Sequence, residues 1–90
     1  MFSVYIIQQD STIQKRIVPD YPPAGDIAAA LGEKPTKRTA NYLGRSLDFF
    51  VGEETQNTSR EVNHAATTLC GTTVFGRVIV VFKSTTMEDK

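Results

Sequence analysis

The apolar patterning of this chain predicts an α+β fold, a small mixed β-sheet with two short helices on one face. Three observations predict it. Two β-branched runs sit close together at the N-terminus, Phe2 to Ile7 and Ile13 to Val18, joined by the turn-forming Gln9-Asp10-Ser11-Thr12. Two stretches carry helical spacing, one after Asp26 and one through Ala65 and Ala66. The last long apolar run, Val74 to Phe82, reads as a central strand covered on both faces or nearly so. The order β, β, α, (β), β, α, β suits a β-grasp-like roll, which sets the last strand beside the first.

The elements follow in order. Phe2 to Ile7 and Ile13 to Val18 make a hairpin, and Pro19, Pro22 and Pro23 prevent its second strand from continuing. Asp26 is a good N-cap for Ile27-Ala28-Ala29-Ala30-Leu31, in which Ile27 and Leu31 share a face and Gly32 supplies the stop. Residues 33–45 leave two readings open: Thr36 to Asn41 is polar, and Tyr42-Leu43-Gly44 suits a strand fragment or a turn. Leu47 to Val51 is a strand with Leu47, Phe49 and Val51 on one face and Asp48 and Phe50 on the other. Gly52 to Asn57 reads as a polar loop. Thr58-Ser59-Arg60-Glu61 has the spacing of a capping box, and Val62, Ala65, Ala66 and Leu69 form the apolar stripe of a core-facing helix closed by Gly71. Gly76, inside the last apolar run, marks a bulge or a close backbone approach. The domain spans residues 1–83, and 84–90 reads as a flexible C-terminal tail.

Composition limits the function classes. Ninety residues allow one domain, and ten basic against ten acidic side chains give zero net charge. That balance lacks the electrostatic footprint of a non-specific nucleic-acid binder. No stretch approaches the ~18 apolar residues of a spanning helix. Cys70 is the single cysteine, so no internal disulfide can form, and a lone thiol suits a reducing compartment. The N-terminus lacks the basic region of a secretory signal. The expected location is the cytoplasm.

Few residues offer chemistry. His64 is the single histidine, with Glu61 one helical turn before it and Cys70 about 120° away around a helix. No metal ligand set results, and no cofactor is expected. There is no nucleophile elbow around Ser46 and no phosphate loop between Gly71 and Gly76. The carboxylate pairs Glu53-Glu54 and Glu88-Asp89 sit on polar segments poorly suited to raising a pKa. Phe49, Phe50, Phe75 and Phe82 read as core. Two surfaces stand out. Arg60, Asn63, His64 and Thr67 lie together opposite the apolar stripe, as a partner-binding helix face. Lys34, Lys37, Arg38 and Arg45 form a basic cluster, which with Arg77 suits an anion.

Three segments carry a family resemblance: Leu47-Asp48-Phe49-Phe50-Val51-Gly52-Glu53-Glu54, Asn63-His64-Ala65-Ala66-Thr67, and Gly76-Arg77-Val78-Ile79-Val80-Val81. A hydrophobic strand ending near an acid, an N-x-x-A-T helix start and a final G-x-hydrophobic strand resemble the DUF3846 family, over residues 42–82. That family comprises small uncharacterised proteins of bacteriophages, mobile elements and large algal viruses. The resemblance implies a virus- or phage-encoded accessory protein and no catalytic residues. The polar stretch from Thr55 to Arg60 departs from the family pattern. The motif also has a packing explanation: Ala65 and Ala66 permit close helix–sheet approach, and Thr67 can bond back to the Asn63 carbonyl.

The expected function is therefore that of a non-enzymatic, small protein-binding module. It would dock on a host or viral protein through a sheet edge or through Arg60, Asn63, His64 and Thr67. The alternative is a binder of a small anionic ligand such as a nucleotide, through Lys37, Arg38, Arg45 and Arg77. Neither a membrane nor sequence-specific nucleic acid is an expected partner, and homo-oligomerisation stays open.

Overall fold

The computed structural model describes residues 1–58 and 61–83. Its strands are β1 Phe2–Ile7, β2 Ile13–Val18, β3 Pro35–Tyr42, β4 Arg45–Gly52 and β5 Val78–Lys83; its helices are α1 Ala24–Leu31, α2 Glu53–Thr58 and α3 His64–Cys70. The strands form one sheet in the order β2-β1-β5-β4-β3. The α+β class holds, and the last strand lies beside the first as expected. The sheet is not mixed, however: every neighbouring pair is antiparallel. The expected tail, 84–90, lies outside the described residues.

The helices do not share a face. Ala66 and Cys70 of α3 pack with Ile7, Leu47, Phe49, Val51, Val74, Val78 and Val80. Ile27 of α1 packs with Val4, Phe50, Ile79 and Val81 on the opposite side. The physical reason is visible in β4 and β5. Phe49, Phe50 and Val51 are all buried, as are Val78 to Val81. Successive strand residues point to opposite faces, so such runs need cover on both. Each buried Val or Ile contributes about 1.5–3 kcal/mol of transfer free energy.

Local signals explain most boundaries. Ser11 takes a positive φ in the β1–β2 turn, where Asp10 accepts from the Thr12 amide. Helix α1 starts three residues earlier than an Asp26 cap requires: Pro23 is the cap, with no side-chain bond, and Asp26 lies in the first turn. There its charge suits the positive end of the helix. Gly32 ends α1 in the left-handed region, as expected. Residues 35–42 are an edge strand, polar because one edge and much of its surface meet water.

The expected polar loop after Gly52 is instead helix α2. Its first amides are capped from a distance: Glu54 and Thr55 donate their backbone N–H groups to Glu33 Oε1 at 2.8 and 3.2 Å, and the Thr55 hydroxyl donates to Glu33 Oε2. These bonds hold the Glu33 carboxyl below its ordinary pKa, the Thr55 hydroxyl foremost. The Thr58–Glu61 capping box does not start α3. Asn63 caps that helix, and Val62 bridges to Phe75 outside it. Gly71 closes it as expected. The last strand starts at Val78 and not at Val74, because Gly76 has φ +70° and Gln56 clasps both backbone groups of Phe75.

Candidate binding groove

The expected partner-binding helix face is not assembled. Asn63 is fully buried. Its side-chain oxygen accepts from Ala66 N, while its amide donates to the carbonyls of Ile7 and Gly76 at 2.9 and 2.7 Å. It ties β1, the β5 approach and α3 together, and it cannot meet a partner. Thr67 is half-buried and its hydroxyl accepts from Val74 N, not from a solvent-facing group. His64 is exposed at the helix start, and Arg60 lies outside the described residues. The N-x-x-A-T motif is thus a cap and a packing device in this fold.

The expected anion set does not converge either. Lys37 and Arg38 are neighbours in β3 and point to opposite faces. Lys37 lies 3.8 Å from the Asp48 carboxylate and over the Tyr21 ring. Arg77 donates to Gln8 and to the last turn of α1 at Ala30 O. Arg45 alone of the four borders a hollow in the surface, together with Lys15.

That hollow is what sequence reasoning missed. Cross-strand partners share a face. Tyr5 pairs with Lys15 on one side and Val80 on the other, and Ser3 pairs with Phe82. All of these lie on the α3 face. Helix α3 has seven residues and covers only part of it. Beside the helix a groove of about 350 Å³ is lined by Tyr5, Ile7, Ile13, Tyr42, Leu69 and Phe82, with Ala65 and Thr68. A second hollow of about 260 Å³ shares Tyr5, Tyr42 and Phe82 and adds Ser3, Lys15, Leu43 and Arg45. Together they form one depression with an apolar end and a cationic end.

The rings and cations are ordered. Tyr5 and Phe82 meet edge to face with centroids 5.7 Å apart. Lys15 lies 5.7 Å from the Tyr5 centroid, and the Arg45 guanidinium lies 5.8 Å from that of Phe82. Such placement is favourable for each cation and leaves its charge at the groove rim. Among the described residues, no carboxylate lines either hollow. The cause is a segregation of charge by element. Among the described residues, strands carry six of the eight basic side chains and one of the eight acids, Asp48, which faces the α1 side. Zero net charge conceals this.

At the rim, Tyr42-Leu43-Gly44-Arg45 makes a two-residue hairpin turn with φ +53° at Leu43 and +79° at Gly44. This backbone favours Asn-Gly. A leucine that is 84 % exposed stands there instead. It gains nothing from burial in the fold, and its position is unfavourable for its backbone.

Other chemistry is quiet. Burial pushes the Cys70 thiol up to about 11, so it stays neutral and unreactive near pH 7. Burial, then the Asp48 contact, also raises the Tyr21 phenol; its hydroxyl donates to Asp48 at 2.6 Å. No cluster of three metal-ligating side chains occurs among the described residues. No helix among them is long and apolar enough to cross a membrane. Searches of protein-family models, curated proteins and solved structures return no match for this chain. The resemblance to DUF3846 rests on its three sequence segments.

Proposed function

We propose that the protein is a non-enzymatic binding module whose α3-face groove takes an acidic, apolar-sided segment of a partner protein. The observation that supports this reading is the groove's described lining: an aromatic floor with Lys15 and Arg45 at the rim. Apolar side chains of the segment would fill the space beside Leu69 and Ile13. Its carboxylates would meet Lys15 and Arg45, whose charges also reject basic segments. Exposed Leu43 and Tyr42 extend the apolar contact. The resemblance to DUF3846 adds the reading of a viral or phage accessory protein acting in the host cytoplasm, with a host protein as the source of the segment.

Panning a displayed random-peptide library on the folded protein tests this. The expected consensus combines acids with spaced apolar residues, and Arg45→Glu weakens the selected peptides about tenfold or more. A neutral or basic consensus, or binding indifferent to Arg45→Glu, contradicts it. The groove volume also falls in the range of small-molecule sites. A small anion that stays bound in native mass spectrometry of protein from its producing cells would favour that second reading.

A further inference from the structure

We infer that the partner, next to the stretch that fills the groove, pairs a further stretch as an added strand on the outer edge of β2. This rests on the reading of the groove as a partner site and goes beyond it by naming the backbone that docks. Strand β2 ends the sheet, so its outer N–H and C=O groups have no strand partner among the described residues. Five of its six residues are exposed.

The side chains of β2 define what the added strand must carry. Ile13 and Ile17 are 52 % and 58 % exposed and flank Lys15 on the α3 face. Ile13 lines the apolar end of the depression and Lys15 the cationic end. An added strand places every second side chain beside this row. The matching row is apolar, acidic, apolar. Gln14 and Arg16 occupy the opposite face, with Arg16 beside Val4. A second acid therefore fits next to the first, on the α1 side.

Two alternatives fit worse. A second copy of this chain pairing β2 to β2 sets two Lys15–Arg16 pairs against each other with no acid in either strand, and like charges across strands are destabilising. The other edge, β3, opens with Pro35, and Lys37 is already engaged by Asp48. It offers no exposed β-branched pair on one face. The β2 edge combines backbone with no strand partner among the described residues, an apolar row and two adjacent cations with no acid in the strand, which is the composition an acidic extended segment complements.

The test uses labelled full-length protein and the blocked peptide Thr-Val-Glu-Glu-Thr-Val-Thr. Binding is followed by amide chemical shifts and amide exchange. The expected result is slowed exchange along β2 and a loss of affinity of about tenfold or more with Arg16→Glu, recovered when the first of the peptide's two Glu residues, on the α1 side, becomes Lys. Arg16 is the informative position because it faces away from the groove, so side-chain docking in the groove alone would not sense it. N-methylation of alternate peptide amides should abolish binding. A peptide that shifts Tyr42, Arg45 and Phe82 but binds equally well to Arg16→Glu, or after N-methylation, overturns the added strand and leaves the groove reading standing. A peptide that does not bind overturns the added strand. It takes the groove reading with it only if the panned peptides are also indifferent to Arg45→Glu.

Discussion

The two faces of the sheet are built by the same strands and end in opposite states. On the α1 face the strand acid, Asp48, is matched within the chain. Asp48 accepts from the Tyr21 hydroxyl and neighbours Lys37, and Tyr21 in turn stacks edge-on against Phe2. Helix α1 covers Val4, Phe50 and Val81 of that face with Ile27, Ala30 and Leu31. On the α3 face a seven-residue helix closes one end and leaves the other open. There Lys15 and Arg45 lie over the rings of Tyr5 and Phe82. The comparison teaches that alternation alone does not decide exposure. What decides it is how far the covering segment extends, and whether it brings the complementary charge.

The largest expected effect is at the end of the α3 face that the helix closes. Asn63→Ala leaves the Ile7 and Gly76 carbonyls and the Ala66 amide without their partner. Each buried unsatisfied group costs about 1–3 kcal/mol. A loss of about 3 kcal/mol or more is expected in urea unfolding, and a loss near zero would mean Asn63 is not the tie described. Next is Val78→Ala, fully buried in β5, with an expected cost of about 1–3 kcal/mol in the same assay. Tyr21→Phe removes one hydrogen bond on the α1 face and should cost about 1 kcal/mol.

Glu33 supplies a pH test of smaller size. Its folded pKa is lowered by the Thr55 hydroxyl and the α2 amides. Its contribution is therefore complete above the ordinary carboxylate value of about 4.3 and is lost as pH falls through the folded value. Glu33→Gln should flatten that acid limb of the stability profile relative to the parent protein. An unchanged acid limb would show that the cap contributes nothing measurable. The smallest stability effects belong to the open face: Lys15→Glu and Arg45→Glu should each stay within about 0.5 kcal/mol of the parent. Such small values would sharpen the contrast, because these residues would then matter to binding and not to folding.

Legibility in the sequence followed the range of the interactions. Strands β1, β2 and β5 and the helix stops at Gly32 and Gly71 rest on local patterns, and reading along the chain recovered them. The α2 helix rests on Glu33, 21 residues before Glu54, and no local signal announces it. Strand β3 hides because an edge strand with Lys37, Arg38 and Thr39 exposed shows no alternation. The cover on both faces was in fact readable. The continuous apolar run of β5 demands it, and so does Phe49-Phe50-Val51. Asn63 looked like helix surface because Thr58 to Glu61 offered a competing start signal. Asn is nevertheless among the strongest N-cap residues, and that rank was the clue. The groove draws on two strand pairs, a turn and α3, and no spacing along the chain brings those residues together.

The open α3 face is proposed as the surface on which this protein meets its partner. An amide chemical-shift map of the labelled protein with a panned acidic peptide tests it most directly. The account predicts shifts at Tyr5, Lys15, Tyr42, Arg45 and Phe82, with Ile27 and Phe50 on the α1 side unmoved. Shifts centred on Ile27 and Phe50, with the groove residues silent, would contradict it.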